Sequence, residues 1–130
     1  MRTRSGLALS AVMALLGACG GDDTGDGSGS CTPGTSAAIT IASTGVSPKA
    51  VCVLPGGSVT FTNNDAIPHD IESGAICTEL NLGVIAPSAS ATATFPVTQV
   101  CSFHDAGAPS NAAFQGTVAV TTAPATGPGY

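Results

Sequence analysis

Basic side chains are scarce in this sequence: three Lys or Arg stand against eight Asp or Glu. Two of the three, Arg2 and Arg4, fall in the first four residues, which leaves Lys49 as the only one beyond them. A chain so balanced offers little to a phosphate backbone, so no nucleic-acid partner is expected. Histidine is scarcer still, with only His69 and His104. No charge-free apolar run reaches the roughly 20 residues that a membrane-spanning helix needs. Helical periodicity is missing too, apart from room for a single turn at 111–115. No nucleophile–base pair, paired carboxylates or phosphate-binding glycine loop stands out, so an enzyme is not expected. At 130 residues the chain has room for one domain.

What is present begins with export. Met1 to Arg4 is short and basic, and Gly6 to Ala18 is apolar and uncharged. This reads as a secretory signal over 1–18. It ends in Leu16-Gly17-Ala18-Cys19, which resembles the bacterial lipobox. That resemblance implies that Cys19 is lipidated and becomes the first mature residue. The chain would then be held to a bacterial membrane, facing the periplasm or the cell exterior. Several acyl chains would anchor it firmly, at about 0.8 kcal/mol per buried CH₂. Residues 19–35, the lipidated Cys and a Gly/Ser/Asp-rich stretch, read as a flexible tether. Residues 36–122 form the domain, and 123–130 a loose Gly/Pro tail. Without the signal, one base faces eight acids, a side-chain charge of −7. Export also permits disulfides.

The domain reads as all-β. Ala37–Ala42, Ala50–Leu54, Ser58–Asn63, His69–Glu72, Leu82–Ile85, Ala89–Phe95, Gln99–Phe103 and Gly116–Val120 have strand character, with turn signals such as Pro55-Gly56-Gly57 between them. Val59 and Phe61 share one face of their strand. Short strands at this spacing predict a β-sandwich of about seven to eight strands, with Greek-key connections.

Two segments carry candidate chemistry. In the first, the strand Val59–Asn63 runs into Asn63-Asn64 and then Ile67-Pro68-His69. In the second, Cys101-Ser102-Phe103-His104 leads to Phe114-Gln115-Gly116 and a last strand. Together, over roughly residues 37–120, they resemble the two copper-binding segments of plastocyanin-like cupredoxins. The resemblance implies a cupredoxin-like sandwich binding one copper ion through His69, Cys101 and His104. Two imidazoles and one thiolate suit copper in both oxidation states. Pro68 restricts the approach to His69, and the resemblance gives Asn64 the role of tying the loops together.

The pattern departs from that family in two places. The axial Met is replaced by Phe114, with Gln115 one residue out of register, so Phe114, Gln115 or a backbone oxygen is open as the axial group. Besides Cys19 there are four cysteines, which allow three pairings. Similarity to azurin-like relatives implies a Cys31–Cys52 disulfide. Three fates then stay open for Cys77: a second thiolate at the copper, a free thiol, or a disulfide with Cys101, which would abolish the copper site.

The resulting expectation is a monomeric lipoprotein that carries single electrons outside the cytoplasm through a His₂Cys copper site, with a redox protein as partner. Two alternatives stand beside it: a copper storage or delivery protein, and a metal-free, disulfide-held sandwich with a structural or adhesion role.

Overall fold

The computed structural model describes residues 30–126. The expected signal, Cys19 and most of the tether lie outside the described residues. Among the described residues ten strands follow in order. They are β1 (Ser30–Cys31), β2 (Gly34–Ala42), β3 (Gly45–Ser47), β4 (Ala50–Asn63), β5 (His69–Glu72), β6 (Gly83–Ile85), β7 (Ser90–Thr94), β8 (Gln99–Asp105), β9 (Gln115–Val120) and β10 (Ala125–Thr126). Two short 3₁₀ turns, Thr78–Leu80 and Ala112–Phe114, interrupt them. The second falls within the single helical turn expected at 111–115.

β4 builds the sandwich because its two halves serve different layers. Ala50–Val53 pairs in parallel with β9, whereas Ser58–Asn63 lies between β2, in parallel, and β7, antiparallel. One layer is β3-β2-β4-β7, and the other runs from β4 through β9, β8 and β5 to β6. Strands that switch sheets do so at bends. The expected turn Pro55-Gly56-Gly57 is this crossing, inside one continuous strand and not between two. Gly56 has φ +88°, and a Cβ on Gly57 would lie 2.8 Å from the Leu54 carbonyl oxygen. Only glycine meets both demands cheaply.

The core fills the space between the layers. Ile39, Ile41, Val59 and Phe61 come from one layer, and Ile71, Phe103, Val118 and Val120 from the other. They alternate with exposed or half-buried neighbours along most of their strands, as the strand period of two requires. Phe61 and Phe103 meet edge to face across the layers, with ring centroids 5.1 Å apart. Gly116 is required by this packing, since a Cβ there would run into the Phe103 ring and the Lys49 carbonyl.

Two disulfides close the domain. Cys31 is joined to Cys52, with Cα atoms 6.0 Å apart, and this ties β1 to the β4 half that pairs with β9. Cys77 is joined to Cys101, with Cα atoms 5.7 Å apart. Described strands also lie on either side of residues 36–122. β1 lies inside the stretch assigned to the tether and pairs with β10, which lies inside the stretch assigned to the tail.

Candidate metal centre

The expected metal ligands start on two strands that meet edge to edge. β5 and β8 are antiparallel, with Ile71 opposite Asp105 and Glu72 opposite His104. The strand expected over Gln99–Phe103 runs from Gln99 to Asp105, two residues past its expected end, so that His104 is strand as well. Alternation along β8 then decides where each side chain points. Cys101, Phe103 and Asp105 face the core and are buried, while Ser102 and His104 face outward.

That register separates the expected ligand set. Cys101 lies four residues along β8 from Asp105, about 13 Å at strand rise. Its sulfur is bonded to Cys77, and the residue is fully buried. Of the three fates left open for Cys77, the structure shows the disulfide with Cys101. His104 is half-buried on the opposite face, its Nε2 3.3 Å from Glu72 Oε1. His69 is 4% exposed and faces inward at the start of β5. Donors to one ion sit within roughly 4.5 Å of one another, given bonds of about 2.0–2.3 Å. His69, Cys101 and His104 are therefore not brought together. Gln115 also faces away, its Nε2 donating to the Pro109 carbonyl at 2.7 Å.

Asp105 is the residue that stands against His69. Its Oδ2 lies 2.6 Å from His69 Nδ1, and its Oδ1 accepts from the backbone N–H groups of Asp70 and Gly107. On the other edge of the ring, His69 Nε2 is 2.9 Å from Asp65 Oδ2. Phe114 covers the ring face, stacked at a centroid distance of 5.1 Å and an angle of 21°. Phe114, expected at the axial position of a metal, is stacked against the His69 imidazole.

The loop between β4 and β5 is held by Asn63, not by the expected Asn64. Asn63 is fully buried. Its Nδ2 donates to the carbonyls of Ile67 and Ile85, both at 2.8 Å, and its Oδ1 accepts from Asp65 N–H. Asn64 is exposed. The shift of one residue follows from alternation: Val59, Phe61 and Asn63 share the inward face, and Asn64 lies beyond the strand.

Burial works against a charge on His69, but the hydrogen bonds to Asp105 and Asp65 outweigh it and raise its pKa. The bond from His69 is the main cause lowering Asp65, helped by the Ala66 N–H. Burial by itself would raise Asp105, yet the bonds from His69 and from Gly107 and Asp70 N–H hold it below the ordinary carboxylate range.

The donor set does not fit a thiolate copper centre. It supplies one imidazole with both nitrogens engaged, two carboxylates on opposite edges of that ring, and no thiolate. Among the described residues no three His, Cys, Asp or Glu side chains converge on one point as metal ligands. Asp105 and Asp65 complete this cluster, and neither stands out in the sequence as a partner of His69. The alternation Cys101, Phe103, Asp105 is the signal that points to the first of them.

No protein-family profile and no curated protein matches this sequence. Solved structures do. An amicyanin from Paracoccus versutus is 17% identical over 68% of this chain and 84% of its own, with a TM-score of 0.58. A purple cupredoxin from Nitrosopumilus maritimus is 24% identical over 65% of this chain and 99% of its own, at 0.52. An oxidised plastocyanin from Dryopteris crassirhizoma is 19% identical over the same shares, at 0.53. Other similar structures are Cu(I) forms of amicyanin variants. With two β-layers, a shared crossing strand and these neighbours, the described residues have a cupredoxin-like fold.

Proposed function

We propose that this chain is an exported lipoprotein that displays one cupredoxin-like domain outside the cytoplasm, and that the domain serves there as a disulfide-held structural or adhesion module. Export and anchoring rest on the basic start, the apolar run Gly6–Ala18 and Leu16-Gly17-Ala18-Cys19. The neighbours of the same fold include Cu(I) proteins, which is what favours the electron-transfer reading. Against it stands one observation: the only inward-facing cysteine on β8 is spent on Cys77, four residues from the acid that faces His69. Without a thiolate beside the imidazole there is no soft, covalent donor to tune copper for single-electron exchange. Copper storage or delivery through His69, Cys101 and His104 meets the same obstacle.

The test is to add Cu(II) and then Cu(I) to the exported protein, isolated without reductant, and to record visible spectra. The expected result is no intense thiolate-to-copper absorption. A strong band that vanishes in Cys101→Ser would overturn this reading and restore the copper electron carrier.

A further inference from the structure

The ring of His69 has carboxylate oxygens on both sides. Nδ1 meets Asp105 Oδ2 at 2.6 Å and Nε2 meets Asp65 Oδ2 at 2.9 Å. Ionised carboxylates only accept hydrogen bonds, so both ring nitrogens must donate, and a ring that donates from both is an imidazolium. A metal ligand needs the opposite, a free lone pair on one nitrogen. The side chains of His69 and Asp105 are 3% and 6% exposed, and Asp65 closes the outer edge at 12%. Phe114 lies across one face of the ring.

The three residues come from two stretches of chain: Asp65 and His69 are four residues apart, and Asp105 lies 36 residues beyond His69. Asp65 is in the loop between β4 and β5, which Asn63 pins to Ile67 and Ile85. His69 opens β5. Asp105 ends β8 and, through Gly107 N–H, fixes the start of the following loop. A single positive charge therefore holds together the segments that a shared metal ion would otherwise gather.

We infer that His69, clasped as a cation by Asp65 and Asp105 under Phe114, replaces a metal ion as the cross-link of this end of the domain and closes His69 to metals. The inference rests on the reading that no thiolate copper forms, but it concerns the imidazole and fails separately. The cluster is a permanent part of the fold. Both carboxylates also bind backbone, since Asp105 anchors two N–H groups and Asp65 accepts from Ala66 N–H. Charge-assisted bonds of this kind are about twice as strong as neutral ones.

The experiment uses the exported full chain in detergent, ¹⁵N-labelled, with His104→Gln to remove the other histidine. At pH 5.5 both ring N–H groups of His69 are expected as slowly exchanging signals. Adding Cu(II) or Zn(II) in excess should neither broaden or shift those signals nor change the melting temperature. Asp105→Asn should lower the melting temperature by about 5 °C or more and expose one ring nitrogen to exchange. Asp65→Asn, at the outer edge, should expose the other while leaving the fold intact, so the proposal stays testable if Asp105→Asn does not fold. Loss of the His69 signals with Cu(II), in the absence of a thiolate band, would overturn this inference and leave the functional reading standing. A neutral ring with one N–H, or a melting temperature raised by either metal, would overturn it as well.

Discussion

His69 is expected to titrate above its ordinary value of 6.5, because two carboxylates outweigh the cost of burying its charge. Asp65 and Asp105 are expected to titrate below 3.8. A raised imidazole pKa stabilises the fold fully below 6.5, and this contribution fades as pH rises through the folded value. Depressed carboxylates stabilise fully above 3.8, and theirs fades as pH falls through their folded values. The cluster should therefore contribute most between about pH 4 and 6.5. Melting curves of the natural chain and of His69→Phe across pH 3–9 check this, with the difference between them largest in that window. A constant difference at all pH values would contradict the charged cluster. Asn63 is the second residue whose side chain decides local structure. Asn63→Ala leaves the Ile85 carbonyl buried without its donor, and a loss of about 1–3 kcal/mol is expected by denaturant unfolding. Asn64→Ala, at an exposed position, should stay within about 0.5 kcal/mol.

Strands are legible in the sequence, and their ends are less so. Period-two patterns in Ala37–Ala42 and Ser58–Asn63 mark real elements, because one face of each is largely core and the other is not; Gly116–Val120 is a strand too, but its end is buried on both faces. The end of β8 escapes such a pattern because Asp105 is polar yet buried. A hydrophobic pattern has no symbol for an acid that is satisfied by an imidazole and two N–H groups. Two further residues of strand fix His104 on the face opposite Cys101 and put Asp105 on the same face as Cys101. The loop-tying Asn moves by one position for the same reason. The partner of Cys101 is beyond the sequence, since it depends on the tertiary path of the 73–81 loop. At this scale Gly116 is a position that cannot accept a side chain without a shift of its neighbours. Gly116→Ala forces the Phe103 ring or the Lys49 carbonyl aside, and overpacking of this kind costs about 1–3 kcal/mol. A melting temperature unchanged by Gly116→Ala would mean that β9 and Phe103 pack less closely than described.

For the whole molecule, the two ends of the sandwich have different duties. β1 and β10 pair with each other, and Cys31 links that ribbon to Cys52, opposite Ala119 on β9. The segment leading back toward Cys19 therefore joins the body at a covalent staple. Replacing Cys31 and Cys52 together by Ala should cost about 2–5 kcal/mol, as removal of a native disulfide does in small exported domains. Cys19→Ser should release the protein from the membrane without altering its melting curve, which fractionation and calorimetry would show. The claim on which the rest depends is that Cys101 is committed to Cys77 and not to a metal. Peptide mapping under non-reducing conditions, on protein purified from the exporting cell with free thiols blocked at lysis, tests it most directly. The account predicts linked peptides for Cys77 and Cys101, linked peptides for Cys31 and Cys52, and no blocked thiol among the four. Recovery of Cys101 as a blocked free thiol would contradict it.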